Sequence, residues 1–490
     1  MKPINSVFTP APMPISVLQF GEGNFLRGFA DYMIDIANVK GITNMGVAVI
    51  KPRKGSLDSL RAQDCLYTVL LRGRQNGIIT DERHVVKSVQ TALGTYEDYD
   101  AFMAVAKQDS LKIIISNTTE AGIALDENDS FDSCPPETFP GKLAKFLFAR
   151  WQAFAGSGKG GLIVLPAELI ENGGDVLCEY VLKLAEIWEL PAEFVQWVKE
   201  NIIFCNTLVD RIVTGFPQGE AAKLWEELGY RDDLMVSGEP FGLWVIESKR
   251  IEDVKKAFPL DKAGMPVIFT ENLLPYRERK VKILNGAHTG TSMAAYLAGC
   301  DTVGEFMADG IIRTFMLEML KSEIAPTVKM PQEDTEAFIN AVLERFENPF
   351  IRHELLSIAL NSVSKWKARV LPSLMDLYTA NGITPPFMAF SFAALLAFYT
   401  GIMEESGFCG KRDGEAYPIR DDLPVTEFFA SVCGENADEY VKVVAANTKL
   451  WGCDLNTING FTEMAAKNLS NIRLLGMQKA IEEFLKQQSM

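Results

Sequence analysis

The stretch Ile15-Ser-Val-Leu-Gln-Phe20-Gly21-Glu-Gly-Asn-Phe-Leu-Arg27-Gly28 decides the fold. A short apolar run ends in two glycines one residue apart, and Asp31 to Asn38 continues with helical spacing. Strand, glycine turn and helix in that order form the context of a dinucleotide site. The first glycine allows a tight turn. The second lets the backbone approach a pyrophosphate seated on the helix N-terminus. Leu26 stands where the G-x-G-x-x-G pattern has its third glycine, so a plain glycine-rich turn fits these residues as well. Read as a nucleotide site, the cofactor contacts are Phe20, Gly21, Glu22, Gly23, Asn24, Phe25, Leu26 and Arg27.

Further apolar runs follow at Val47–Ile50, Leu111–Ser116, Gly161–Pro166 and Ile202–Cys205, with helical patterns between them. Strands alternating with helices predict a parallel sheet covered on both faces. Ligands bind such sheets at the carboxyl ends of the strands. Asn117 and Thr118 fall at one such end and join the cofactor set. Asn172 follows the strand ending at Pro166, although Asn-Gly is also a common turn dipeptide. Asp210 follows Ile202–Cys205, and Asp210-Arg211 equally suits a structural ion pair. The second strand ends Val49-Ile50-Lys51-Pro52-Arg53-Lys54, with no acid for the ribose hydroxyls of NAD. Basic residues there suit the 2′-phosphate of NADP, or a solvated loop, so the choice between NAD and NADP stays open at the level of residues.

After about residue 275 the strand signals fade. Helical patterns cover 302–323, 333–346, 353–367, 386–403, 426–447 and 460–487. A Gly-, Asp- and Arg-rich stretch at 407–424 reads as a mobile surface excursion. The expected fold is α/β: a Rossmann-type dinucleotide-binding domain over residues 1–274, then a mainly α-helical substrate domain over 275–490.

The composition is that of a globular protein, with 48% apolar and 23% charged residues in 490. The net charge of −16 argues against nucleic acid and anionic membranes as partners, but not against a small anionic substrate. Eight cysteines without C-x-x-C spacing and only three histidines predict reduced thiols and no metal site. The N-terminus lacks a signal-peptide pattern. The most apolar window, Phe387–Tyr399, is shorter than the roughly 20 residues of a membrane span and reads as a buried core helix. A cytoplasmic protein is expected, and the sequence does not indicate its subunit number.

Chemistry concentrates in Lys280-Val-Lys-Ile-Leu-Asn285-Gly-Ala-His288, a K-x-x-x-x-N-x-x-H element. On a helix of about 100° per residue, Asn285 lies about 140° and His288 about 80° round from Lys280, on one side. Hydride exchange between a carbinol and a nicotinamide needs a group that moves the proton on oxygen and donors that stabilise its charge. Lys280 suits the first task if burial and Arg277, Arg279 or Lys282 depress its pKa. Asn285 suits the second, and His288 could orient the lysine. A packed polar patch is the plainer alternative. In the helical half His353, Lys365, Lys367 and Arg369 form a basic run suited to a substrate carboxylate, or to a solvated helix face.

Taken together, Gln19–Arg27, Ser116-Asn-Thr-Thr-Glu-Ala-Gly122, Thr207-Leu-Val-Asp-Arg-Ile-Val-Thr-Gly215 and Lys280–His288 resemble the mannitol dehydrogenase family. These are zinc-independent long-chain polyol and sugar-acid dehydrogenases. The resemblance extends through Asn348-Pro-Phe-Ile351 and Leu355–Asn361, from about residue 15 to beyond 420. It implies NAD as cofactor and an active site between the two domains. It also implies Lys280 as general acid/base, Asn285 and Asn172 on the reacting oxygen, and His288 beside the substrate. Asp210 matches a family acid near the site, and Lys365 and His353 are the candidates for a carboxylate. Sugar-acid and polyol substrates both stay open, as does a nucleotide sensor that has kept the fold.

Overall fold

The computed structural model describes residues 1–405, 407–434 and 436–488. The chain divides into two compact units, Met1–Leu274 and Pro275–Met490.

In the first unit the strands are β1 (Ile15–Phe20), β2 (Gly46–Lys51), β3 (Tyr67–Gln75), β4 (Ile78–Val86), β5 (Val89–Gly94), β6 (Ile113–Ser116), β7 (Leu162–Pro166) and β8 (Ile202–Phe204). They continue with β9 (Asn206–Asp210), β10 (Val213–Gly215), β11 (Val236–Gly238), β12 (Leu243–Glu247) and β13 (Val267–Thr270). Six of them form a wholly parallel sheet in the order β5-β2-β1-β6-β7-β8. Renumbered within that sheet the order is 3-2-1-4-5-6, the doubly wound dinucleotide arrangement. Successive side chains of a strand point to opposite faces. Val17, Val47, Val49, Ile113 and Ile115 therefore enter one core, while Leu18, Phe20, Ala48, Ile50 and Ile114 enter another. Both faces are covered, which is why these strands read as continuous apolar runs.

Two smaller sheets were not foreseen. The hairpin β3–β4 joins β11 and β10 in one, and β9, β12 and β13 form the other. After the expected strand at Ile202–Cys205 the chain leaves the parallel sheet, and β9 pairs antiparallel to β12.

The second unit is mostly helical. Helix Pro386–Phe398 is its buried centre, lined by Phe387, Phe390, Phe392, Leu395 and Leu396. Helices Gly286–Leu297 and Phe461–Leu475 pack against it. Several expected long helices are broken. The 302–323 stretch splits where Asp309 caps a new helix through Ile311 and Ile312. The 426–447 and 460–487 stretches are each two helices, the second broken at Gly476 (φ +80°). His353 lies before any helix, and Asn361, left-handed at φ +51°, separates Leu355–Ile358 from Ser362–Arg369. The 407–424 excursion is also a correction. It carries β15 (Gly407–Arg412) and β16 (Glu415–Pro418), antiparallel and paired through β15 with β14 (Gly401–Glu404). Among the described residues no helix is long and apolar enough to cross a membrane.

Candidate active site

The glycine turn lies where the strand order reverses, between β1 and β6. Asn117 N–H donates to Phe20 O at 2.9 Å, and Gly21 N–H donates to Ile50 O at 2.9 Å. Gly21 has φ +118°, and a Cβ there would stand 2.8 Å from Asn117 O, so only glycine fits. A Cβ on Gly23 would meet nothing within 4 Å, which leaves the turn open on that side. The third glycine role, close packing of helix on sheet, passes from Leu26 to Gly28. A Cβ there would lie 3.1 Å from Val236 Cγ1 and 3.2 Å from Val213 Cγ1. The helix itself runs from Asn24 to Val39 with π-type hydrogen bonding over Arg27–Asp31.

The remaining residues of the turn divide by environment. Phe20 and Leu26 are buried, with Phe20 packed on Phe102 and Phe139. The Leu26 side chain lies under the turn, where a Cβ on Gly21 would stand 3.3 Å from its Cδ1. Asn24 is exposed, and Phe25 stacks on Phe29 at 4.9 Å. Arg27 donates to Leu234 O at 2.7 Å and Asn24 Oδ1 at 2.6 Å, which clamps the helix start. Glu22 forms an ion pair with Lys51.

Glu168 was not assigned a part by the sequence, and nothing local marks it. Its buried carboxylate accepts from Thr118 N–H at 2.8 Å, Thr118 Oγ1 at 2.9 Å and Ser116 Oγ at 3.0 Å. Burial raises its pKa against these bonds. It thereby fixes the Asn117-Thr118 turn, where Asn117 Nδ2 also donates to Ala167 O at 2.7 Å. Asn172 is exposed and left-handed (φ +51°) immediately before helix Gly173–Ile187, and its side chain makes no cap bond. Asp210 is buried at the end of β9. Arg211 gives its guanidinium to Gly28 O at 2.8 Å, Phe241 O at 2.9 Å and Pro240 O at 3.3 Å.

In the second unit the Lys280 segment is not a regular α-helix. Lys280–Asn285 is a π-helical turn leading into helix Gly286–Leu297, and Gly286 N–H bonds back to Val281 O. With i→i+5 closure, Lys280 and Asn285 are neighbours one turn apart, not about 140° apart as in an α-helix. Both are half-buried. Lys282 points inward and bonds Asp376 Oδ2 at 2.7 Å and Thr327 O at 2.9 Å. Arg279 lies over the Phe338 ring at 4.4 Å.

His288 stacks on Phe346, with ring centroids 4.0 Å apart and planes at 9°. His353 meets it edge-on at 5.3 Å. His288 Nε2 is sealed from solvent and has no hydrogen-bond partner among the described residues. Burial, then the charges of His353, Arg345 and Arg369, hold its pKa well below the usual imidazole value. It is a neutral ring. Lys365 and Arg369 share a helix face; burial and Arg369 lower the Lys365 pKa, and burial lowers that of Arg369. Arg369 Nη1 donates to Thr289 Oγ1 at 3.2 Å, and Lys365 Nζ to Ile358 O at 2.9 Å. His353 is likewise lowered by burial and by Lys365. Lys367 leaves the cluster and lies against Gly452. The structure thus gathers His288, His353, Lys365 and Arg369 into one partly buried cluster, in which Lys365 and Arg369 are the cations and burial disfavours charge on both imidazoles. Arg369, named in the sequence only as one member of the basic run, faces both His288 and Lys365. Among the described residues, no three His, Cys, Asp or Glu side chains are grouped to hold a metal.

Known proteins repeat this division. The description "Mannitol dehydrogenase Rossmann domain" matches residues 15–258, and "Mannitol dehydrogenase C-terminal domain" matches 272–473. An altronate oxidoreductase of Shigella flexneri is 41% identical over 482 residues, 97% of this chain and 98% of its own. That of Yersinia enterocolitica is 41% identical over 479 residues, 96% and 97% of the two chains. Two solved structures share the fold. Pseudomonas fluorescens mannitol 2-dehydrogenase, in ternary complex with NAD and D-mannitol, has a TM-score of 0.68 at 22% identity over 99% of this chain and 96% of its own. A substrate-free D-sorbitol dehydrogenase has 0.79 at 20% identity over 98% and 100%. The chain belongs to the mannitol dehydrogenase family.

Proposed function

We propose that this chain is an NAD-dependent altronate oxidoreductase, or tagaturonate reductase. It interconverts D-altronate and NAD+ with D-tagaturonate, NADH and a proton, in the breakdown of galacturonate. The observation that carries the reading is the 41% identity to altronate oxidoreductases over 97% of the chain. The first unit, Met1–Leu274, is the dinucleotide domain, and Pro275–Met490 the substrate domain.

The glycine turn fits a dinucleotide: it is tight at Gly21 and open at Gly23. First-turn amides of a helix lack intrahelical partners and suit a pyrophosphate. Asn117 and Thr118, braced by Glu168, border the same switch point. Bound nicotinamide accepts or supplies the hydride. Lys280 Nζ takes the proton from the carbinol oxygen in oxidation and returns it in reduction. Asn285, its neighbour across the π turn, donates its amide N–H to that oxygen as negative charge develops. Asn172 is a further amide donor, with Asp210 near the same substrate. His288, neutral and held flat on Phe346, accepts or donates one hydrogen bond without adding charge. The cations Lys365 and Arg369, with His353 beside them as a hydrogen-bonding imidazole, receive the substrate carboxylate. Partly buried cations crowd one another there, and an anion relieves that cost.

The test is a side-by-side assay of D-tagaturonate, D-fructuronate and D-fructose with NADH. Tagaturonate is expected to turn over fastest. Faster fructuronate turnover would make the protein a fructuronate reductase, faster fructose a polyol dehydrogenase, and NADH binding without any turnover a sensor. Lys280→Ala is expected to keep NADH binding and lose about 10²–10⁴ in kcat. Near-wild-type turnover would remove Lys280 from the mechanism.

A further inference from the structure

At the carboxyl end of β2, where an NAD site ordinarily carries a carboxylate for the adenosine ribose, this chain has Lys51. The parallel register of β1 and β2 runs to Phe20 opposite Ile50, and Gly21 N–H then bonds Ile50 O. The next residue, Glu22, is thereby brought beside Lys51, and the two side chains form an ion pair. Lys51 is held from its own side as well. Thr95 N–H and Oγ1 bond its carbonyl at 3.1 and 3.2 Å. The loop also folds over its stem at Gly55, where a Cβ would stand 2.8 Å from Lys51 Cε. The other basic residues of the loop, Arg53 and Lys54, are exposed, with Lys54 Nζ over the Tyr96 ring at 5.2 Å.

We propose that the Glu22–Lys51 pair sets the choice of NAD over NADP. Glu22, delivered from the glycine turn instead of from β2, supplies the missing acid and accepts hydrogen bonds from the adenosine ribose hydroxyls. Lys51 is spent on Glu22 and is withheld from a 2′-phosphate. The inference rests on the dinucleotide reading above. A ribose hydroxyl donates to a carboxylate, whereas a 2′-phosphate offers only acceptors and negative charge. A phosphate would therefore face Glu22 and would have to compete with it for Lys51. Neutralising Glu22 reverses both effects at once: the repulsion goes and Lys51 is released.

The experiment measures dissociation constants of NADH and NADPH by nicotinamide fluorescence without sugar, alongside kcat/KM with each. In wild type NADH is expected to bind more tightly than NADPH, and tighter NADPH binding would overturn the proposal. Glu22→Gln is expected to raise the NADPH-to-NADH affinity ratio at least tenfold, and the gain in NADPH binding is expected to vanish in Glu22→Gln/Lys51→Met. Lys51→Glu puts an acid back on β2 and moves the ratio the other way, which keeps the test alive if Glu22→Gln does not fold. Equal weakening of both cofactors in Glu22→Gln would make the pair a structural clip and overturn the proposal. So would a ratio within twofold of wild type in both single variants. A wild-type protein that binds neither dinucleotide would instead sink the dinucleotide reading, and this inference with it.

Discussion

Asp31→Asn removes a carboxyl group whose proton the fold holds more tightly than water does. Asp31 is fully buried, at 0% exposure, at the end of the π turn that follows the glycine loop. Its Oδ2 accepts from Tyr67 OH at 2.7 Å and Gln19 Nε2 at 3.3 Å. Its Oδ1 has no partner among the described residues. Burial is the largest influence, and Asp35 adds to it. The bonds from Tyr67 and Gln19 and the charge of Arg27 oppose it, and the pKa rises from 3.8 to about 7. The native state therefore binds this proton more tightly than the unfolded chain. Below pH 3.8 both states are protonated and nothing is lost. As pH rises towards 7 the unfolded chain ionises first, so the native state is progressively destabilised, reaching a plateau above pH 7. At 1.36 kcal/mol per pH unit the plateau is about 4 kcal/mol, with about 2–3 kcal/mol of it appearing between pH 5 and pH 8. Asparagine keeps an acceptor for Tyr67 and carries no proton to lose. The assay is denaturation of wild type and Asp31→Asn across pH 5–8, and the variant is expected to gain on wild type by that amount. A difference between the two that does not change with pH would refute the reasoning.

Gly21→Ala is expected to destabilise the first unit by about 1–3 kcal/mol, because φ +118° and the 2.8 Å approach to Asn117 O admit no side chain; a thermal midpoint checks it. Gly23→Ala meets no protein atom within 4 Å, so its thermal midpoint should stay near wild type while the NADH dissociation constant rises at least tenfold. Arg150→Met strands the carbonyls of Gly160, Ala106, Gln108 and Leu111, all bonded at 2.6–3.1 Å by a fully buried guanidinium. A loss of about 3 kcal/mol or more in urea unfolding is expected.

What was legible in the sequence is what short-range pattern encodes. The β1–turn–helix unit reads directly, because apolar alternation, the turn and the helix start lie within a few residues. Two hairpins were missed although their signals were present. Asn76-Gly77, at φ +52° and +78°, joins β3 to β4, and Asp413-Gly414, at φ +52° and +86°, joins β15 to β16. Asn-Gly and Asp-Gly are the preferred two-residue hairpin turns because both positions need positive φ. The sheet change between β8 and β9 had no such marker, since a single residue, Cys205, separates the two strands. The candidate site divides in the same way. Lys280, Asn285 and His288 are visible as one element, whereas the approach of Arg369 to Thr289 joins residues 80 positions apart and follows from helix packing alone.

The Lys280 segment has to satisfy two demands that a regular α-helix sets against each other. Lys282 must reach inward to Asp376 and Thr327, because a buried ammonium without a carboxylate and a carbonyl would be costly. Lys280 and Asn285 must together face the substrate if one moves the proton and the other steadies the oxygen. In α-helical register they lie about 140° apart, at opposite margins of one side of the helix. The π turn adds a residue to the circuit and makes them neighbours, while Gly286 restarts the α-helix that carries His288. π-turns are rare and recur at functional sites. The same device follows the glycine turn at Arg27–Asp31, where Gly28 closes on Val213 and Val236 while Asp31 turns to Tyr67. In both segments the extra residue in the turn changes which side chains share a face of the helix.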